Sequence, residues 1–186
     1  VYAIAKPLAN RGVHPDSISY FTLLLALISS LSLVLFVYQP LFGILVFITG
    51  LFDGVDGAVA KLRSSSSEAG ALTDSLIDRV AELTLTIGIM LTFQAELIIG
   101  LSVSAWAMLC IASWLLTSYT RARAESLGVQ DLDIGLGARS ERLLTLVVFA
   151  LLSLLLWGLV IVTLMGLCTA AYRYYHYKRE LSSKTK

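Results

Sequence analysis

Residues 41–92 read LFGILVFITGLFDGVDGAVAKLRSSSSEAGALTDSLIDRVAELTLTIGIMLT, and this stretch decides the fold. Two apolar arms flank a polar centre. Each arm, with its share of that centre, forms a helix of about 20 residues or more, the length that crosses a bilayer of about 30 Å. Four aspartates nevertheless lie inside: Asp53, Asp56, Asp74 and Asp78. An ionisable side chain within a membrane helix costs on the order of several kcal/mol unless it is paired or hydrated, so it marks function by default. Spacings of three and four put each pair on one helix face. The run Ser64–Ser67 is a short polar loop, which makes the two helices antiparallel neighbours. The four carboxylates then converge on one pocket just below a membrane surface. Four carboxylates so close cannot all stay ionised without cations. Hard divalent ions suit oxygen ligands, so magnesium or manganese is the natural choice. Two such ions can grip a diphosphate. Gly54, Gly57 and Gly70 leave gaps beside the carboxylates, and Gly57 is read as ligand access.

Outward from this centre the chain stays apolar. Of its 186 residues 57% are hydrophobic, and the mean hydropathy is +0.81. An ordinary soluble domain is about 45–50% apolar. Residues 1–14 read as a short amphipathic surface helix and linker. The lead-in lacks a small-residue cleavage site, so no cleavable signal peptide is expected. Asp16 or Ser17 is expected to cap the first long helix, and Gln39-Pro40 to form a turn. The apolar stretch Leu143 to Ala171 is ambiguous: about 29 residues, or about 44 Å at 1.5 Å per residue, is long for one span and short for two. Its charges arbitrate. Arg139 and Arg142 precede it, and Arg173, Lys178 and Arg179 follow it. Two spans with a turn near Trp157-Gly158 put both basic clusters on one side, as the positive-inside rule prefers.

The expected fold is therefore an all-α integral membrane protein with an N-terminal interfacial helix and six transmembrane helices. It is a single domain over residues 1–186, with spans at about 16–38, 41–63, 68–93, 97–127, 139–156 and 158–178. Both termini and the aspartates then face the cytoplasm. Lys6, Arg11, Lys61, Arg63, Arg121, Arg123, Arg139, Arg142 and the tail from Arg173 to Lys186 lie inside, and Glu96 alone lies outside. The plasma membrane is the expected location. Tyr172, Tyr174, Tyr175 and Tyr177 read as an interfacial aromatic belt. Cys110 and Cys168 read as small core residues, and His14 and His176 as interfacial groups without a metal role.

The central segment resembles a family signature. Asp53, two residues, Asp56-Gly57, two residues, Ala60-Lys61, eight residues, Gly70, three residues, Asp74, three residues and Asp78 match the pattern D-x2-D-G-x2-A-R-x8-G-x3-D-x3-D of the CDP-alcohol phosphotransferases. Lys61 is the one departure. Lysine keeps the charge of the family's arginine and loses its bidentate fork, for which Arg63 is a candidate to compensate.

The resemblance implies roles. Asp53, Asp56, Asp74 and Asp78 would hold two Mg2+ or Mn2+ ions, and Asp78 would also take the proton from an acceptor hydroxyl. Gly57, Ala60, Lys61 and Gly70 would line the CDP site with Asp53, Asp56 and Asp74. The expected reaction moves a phosphoalcohol group from a CDP-lipid donor to that hydroxyl and releases CMP. A homodimer is the expected assembly, and no nucleic acid is an expected partner.

A second segment bears on the acceptor. Tyr119 to Glu125 reads YTRARAE, and Arg139 to Arg142 reads RSER. Arg121, Arg139 and Arg142 form a candidate acceptor-phosphate site, because arginine binds phosphate bidentately; Arg123 reads as an anchor at the membrane edge. The pattern resembles the branch of the family that makes phosphatidylinositol phosphate or its archaeal counterpart. Inositol phosphate is thus the favoured acceptor, with glycerol 3-phosphate, or CDP-inositol as donor, left open. A transporter is disfavoured because the outer halves of the helices are almost wholly apolar. A scaffold would not need four aspartates at these spacings. Glu82 and Arg79 read as an internal network beside Asp78.

Overall fold

The structure is a computed structural model. It describes residues 1–63, 67–132, 134–135 and 137–184, with no side chain for Lys184. Ser64 to Ser66 of the expected serine loop, Asp133 and Leu136 of the loop before Arg139, and the terminal Thr185 and Lys186 lie outside the described residues.

The described residues form seven helices: α1 (Tyr2–Asn10), α2 (Pro15–Phe36), α3 (Gln39–Leu62), α4 (Glu68–Thr92), α5 (Val103–Ser126), α6 (Arg139–Leu151) and α7 (Leu155–Lys184). A two-residue hairpin, β1 (Leu97–Ile98) and β2 (Leu101–Ser102), precedes α5. Helices α2, α3, α5 and α7 are long and apolar enough to cross a membrane. The chain is a multi-pass membrane protein.

Packing closes six helices into a ring. Going round it, α2 touches α3, α3 touches α6, α6 touches α7, α7 touches α5, α5 touches α4, and α4 returns to α2. Lipid tails are as apolar as leucine, so such a ring is held by close packing and internal hydrogen bonds. Glycines mark its tight crossings. A Cβ on Gly43 of α3 would lie 2.9 Å from the Cβ of Ala150 on α6, and one on Gly158 of α7 would lie 2.7 Å from that of Phe149. Gly88 meets Ser30 of α2, and Gly166 meets Ser113 of α5, at closer range still. Buried hydroxyls return their protons to the preceding turn, as Thr22 does to the Ile18 carbonyl (3.0 Å) and Thr86 to that of Glu82 (2.9 Å). No water is needed to satisfy them. The leucines, isoleucines and phenylalanines left exposed lie on the outer faces, among them Leu24, Phe47, Leu76 and Leu164.

Helix α1 packs on α3, and this matters for the site. Ala5 meets Ile18, Val55 and Val59 in one buried cluster. Val55 and Val59 are turned to this cluster, so Asp53, Asp56, Gly57 and Ala60 fall on other faces of the same helix.

Several sequence expectations shift. Helix α2 begins at Pro15, with His14 as its N-cap accepting from the Asp16 amide at 3.4 Å. Proline at the first helical position has its φ preset. Gln39 and Pro40 open α3 rather than forming a turn. The hairpin takes the first residues of the expected fourth span, because Ile99 and Gly100 both adopt positive φ, the conformation of a tight two-residue turn. Hydropathy could not expose it, since Leu97–Leu101 is as apolar as a helix. The break between the last two helices lies at Leu152–Leu154, not at Trp157-Gly158. Ser153 takes the left-handed conformation there (φ 59), and the Gln39 side chain accepts from the Leu155 amide at 2.9 Å. Gly158 is a packing residue inside α7. Cys110 is buried as expected, but Cys168 is exposed on α7. Tyr177 is also no belt residue: it is buried and its hydroxyl donates to the Leu132 carbonyl at 3.0 Å.

Candidate active site

Helix α3 supplies Asp53 and Asp56, α4 supplies Asp74, Asp78 and Glu82, and α6 supplies Arg139 and Arg142. One carboxylate oxygen from each of Asp53, Asp74 and Asp78 lies within 4.8 Å of the others. That spacing and three hard oxygen donors suit a divalent cation of the magnesium or manganese kind.

Asp56 stands slightly apart. It is the most buried of the four aspartates, at 4% exposure. Its Oδ2 accepts from Ser19 Oγ of α2 at 2.8 Å. Together with Asp74 it lines a cleft of about 240 Å3, whose walls include Gly57, Ala60, Lys61, Gly70 and His14. Gly57 has open space where a Cβ would stand, whereas a Cβ on Gly70 would lie 3.1 Å from Ser67 Oγ. The glycine at 57 therefore opens the cleft, and the one at 70 lets Ser67 cap α4 through the Gly70 amide (3.0 Å).

Charge balance in the cluster comes from α6 and from Arg79 of α4. Arg139 Nη1 lies 2.5 Å from Asp53 Oδ2 and 2.8 Å from Asp78 Oδ1, and its Nε donates to Glu82 Oε1 at 3.1 Å. Arg79 Nη1 pairs with Asp78 Oδ2 at 3.2 Å. Arg142 is buried, with Nη2 3.8 Å from Glu82 Oε1 and its guanidinium 5.0 Å from the Trp114 ring. Its Nε and Nη1 have no hydrogen-bond partner among the described residues. Arg121 is exposed near the end of α5.

The sequence-level candidates thus divide. Asp53, Asp74, Asp78 and Arg139 meet in one cluster; Asp56, Gly57, Ala60, Lys61, Gly70 and Asp74 meet in one cleft. Arg139 enters bound to the aspartates. Arg63 is turned away, donating to the carbonyls of Gly12 (2.8 Å) and Val13 (2.6 Å). Ser19 escaped sequence reasoning: the short link makes α2 and α3 neighbours, but one sequence does not say which face of α2 meets Asp56. Glu82 was visible, at the same four-residue step beyond Asp78 that separates Asp74 from Asp78, but its two arginine partners come from a helix 57 residues away.

Comparison with known proteins places this arrangement. The family model for CDP-alcohol phosphatidyltransferase matches residues 12–173. This chain belongs to the CDP-alcohol phosphatidyltransferase family. It is accordingly a transferase of phospholipid biosynthesis that draws on a CDP-alcohol, which sets the transporter and scaffold readings aside. Within the family it is 30% identical over 178 residues to an archaetidylinositol phosphate synthase of Pyrococcus horikoshii, covering 96% of this chain and 90% of that one. It is 32% identical over 153 residues to a phosphatidylinositol phosphate synthase of Mycobacteroides abscessus, covering 81% and 67%. The fold matches the crystal structure of the Mycobacterium tuberculosis phosphatidylinositol phosphate synthase with CDP-DAG bound, with a TM-score of 0.80 over 95% of this chain and 92% of that one, at 23% identity. The same enzyme in complex with manganese and citrate matches at 0.79, over 95% and 88% of the two chains and again at 23% identity.

Proposed function

We propose that this enzyme moves a phosphatidyl-type group from a CDP-lipid to a hydroxyl of inositol phosphate, releasing CMP, at the cytoplasmic face of the plasma membrane. The observation that carries this reading is the meeting of Asp53, Asp74 and Asp78 within 4.8 Å, beside a cleft that Asp74 shares with Asp56, Gly57, Ala60, Lys61 and Gly70. The cleft takes the CDP moiety, with the open side at Gly57 as its entry and Lys61 as a point charge for the diphosphate. Two divalent ions, Mg2+ or Mn2+, held by Asp53, Asp56, Asp74 and Asp78, would offset the charge that gathers on the diphosphate as CMP departs. Asp78 takes the proton of the acceptor hydroxyl. The acceptor oxygen bonds to the donor's β-phosphorus in line as the bond to the CMP oxygen breaks. Arg121, Arg139 and Arg142 serve the acceptor phosphate, and Arg139, already beside Asp78, is placed to bring that phosphate to the reacting centre.

The names of the relatives support the acceptor, and the CDP-DAG bound by the Mycobacterium tuberculosis enzyme supports the donor. We further read six membrane crossings, with α4 and α6 as the two that fall short in apolarity or length, a surface position for α1, and a homodimer. The test is CMP release from a CDP-lipid by the full chain, with and without Mg2+. The acceptor panel is inositol 1-phosphate, glycerol 3-phosphate, inositol and serine. Release that requires both Mg2+ and inositol 1-phosphate, and is lost in Asp78→Asn, is the expected result. Full activity in Asp78→Asn, or a preference for another acceptor, would overturn the corresponding part of the reading.

A further inference from the structure

Arg139 and Arg142 sit one helical turn apart on α6, and a single buried carboxylate, Glu82, faces both. Its side chain is 6% exposed, against 20% for Arg139 and 3% for Arg142. A carboxylate buried this far is stabilised by pairing, and Glu82 has two guanidinium neighbours. The two contacts differ in kind. Arg139 gives Glu82 a hydrogen bond from Nε at 3.1 Å. Arg142 stands off at 3.8 Å, stacked over Trp114, with two nitrogens unpartnered among the described residues. The Arg139 guanidinium is thus held at two points. Its Nε is tied to Glu82, and its Nη1 bridges Asp53 and Asp78.

Those two attachments behave differently when a divalent cation binds. The cation needs the oxygens of Asp53 and Asp78, so it competes directly with Nη1. It does not need Glu82, whose oxygen is committed to Nε. We propose that Glu82 is a positioning residue: a pivot that keeps Arg139 at the site when cations take the aspartate oxygens, and so turns Arg139 from their counter-ion into a donor for the acceptor phosphate. This rests on the proposed reading of a cation-dependent site with a phosphorylated acceptor. The guanidinium rotates about the Nε–Glu82 hydrogen bond and presents its Nη atoms outward, while Arg142 Nη2 stays beside Glu82. Metal binding and acceptor binding are then coupled through one side chain, and the acceptor binds well only to the cation-loaded enzyme.

The coupling gives Glu82 and Arg139 opposite signs. Arg139→Gln removes the competitor, so the full-length enzyme in lipid nanodiscs should bind Mn2+ about tenfold tighter, read from the free-ion signal by electron paramagnetic resonance. Glu82→Gln removes the anchor to which Arg139 stays tied once it is displaced, so displacement costs more and Mn2+ should bind several-fold more weakly. The double variant should match Arg139→Gln, because Glu82 acts on the metal through Arg139. In turnover, Glu82→Gln should raise the acceptor KM about tenfold while kcat at saturating Mn2+ moves less than threefold. Glu82→Asp, which keeps the charge, should recover part of both effects. It also serves as the second probe if the glutamine variant does not fold. A weakening of Mn2+ binding by Glu82→Gln that persists in the Arg139→Gln background would overturn the pivot, as would a fall in kcat with KM unchanged. If the unsubstituted enzyme binds no Mn2+ and needs no cation for turnover, it is the reading of the site that fails. If it binds Mn2+ and turns over but the variants are additive, only the pivot fails.

Discussion

Ser19 Oγ on α2 donates to Asp56 Oδ2 on α3 at 2.8 Å, and both residues are buried. The bond ties the most enclosed of the four aspartates to a helix that contributes no other hydrogen bond to the cluster among those described. It fixes which carboxylate oxygen faces α2 and leaves the other toward the cleft, near the Gly57 amide at 2.5 Å. Ser19→Ala would leave a buried carboxylate oxygen unpaired, a loss of about 1–3 kcal/mol. We expect the Mg2+ concentration for half-maximal CMP release to rise roughly tenfold, which corresponds to about 1.4 kcal/mol. Ser19→Thr, which keeps the hydroxyl, should stay close to the original. An unchanged Mg2+ dependence in Ser19→Ala would show that Asp56 is oriented by something else.

Lys61 is the signature's one departure, and the structure removes the nearest candidate to compensate for it. Arg63 is engaged with the Gly12 and Val13 carbonyls and braces the linker between α1 and α2. Lys61 is exposed at the cleft wall and meets a diphosphate as a single charge. Restoring the fork by Lys61→Arg should therefore lower the KM for the CDP-lipid several-fold while leaving kcat nearly constant. Saturation curves for the donor at fixed acceptor would settle it. A higher KM would mean that the cleft is shaped around lysine.

What the sequence made legible follows from the physics of each feature. The aspartates stood out because charge in a membrane helix is costly, and steps of three and four residues are enough to assign them to helix faces. The basic residues at helix ends were legible for the same reason. Helix ends in apolar stretches were not. Leu97–Leu101 carries no polar residue to betray a hairpin, and Leu152–Leu154 is broken by one serine in a left-handed conformation. Gly158 looked like a turn residue because a glycine that spares a phenylalanine on another helix reads like one that bends the chain. The partner of each site residue was the least legible feature of all. Ser19 reaches Asp56 across 37 residues and Arg139 reaches Glu82 across 57, and only the packing of the helices shows which side chains meet.

Gly43 offers a test of that ring. Its Cα side faces α6 so closely that an added Cβ would lie 2.9 Å from the Ala150 Cβ and 3.2 Å from the Val147 carbonyl oxygen, a backbone atom that cannot swing aside. Gly43→Val must push α6 outward or strain it, a cost of about 1–3 kcal/mol for overpacking. Arg139 is the first residue of the same helix. We expect a Tm lower by several degrees in detergent, together with a loss of CMP release larger than the thermal shift alone explains. A variant as stable and active as the original would mean that α3 and α6 approach less closely than the structure has them.

The number of crossings can be decided by labelling. Helix α6 has 13 residues, about 20 Å of helix, which falls short of a bilayer core of about 30 Å. Yet it packs on both α3 and α7, and Arg139 and Arg142 at its start are followed by a largely apolar run to the turn at Leu152–Leu154. If α6 crosses with the help of that turn, Leu152 emerges on the side opposite Arg139, and α7 brings the chain back. In a background of Cys110→Ala and Cys168→Ala, single cysteines at Glu96→Cys and Leu152→Cys should then react with a membrane-impermeant maleimide in intact cells. Ser182→Cys, exposed on the last turns of α7, should react only after permeabilisation. Were α6 to stop short and return no span, Ser182→Cys would label in intact cells instead. The basic ends of α3, α5 and α7 and the basic start of α6 would then be divided between the two faces, against the preference of lysine and arginine for the cytoplasmic side.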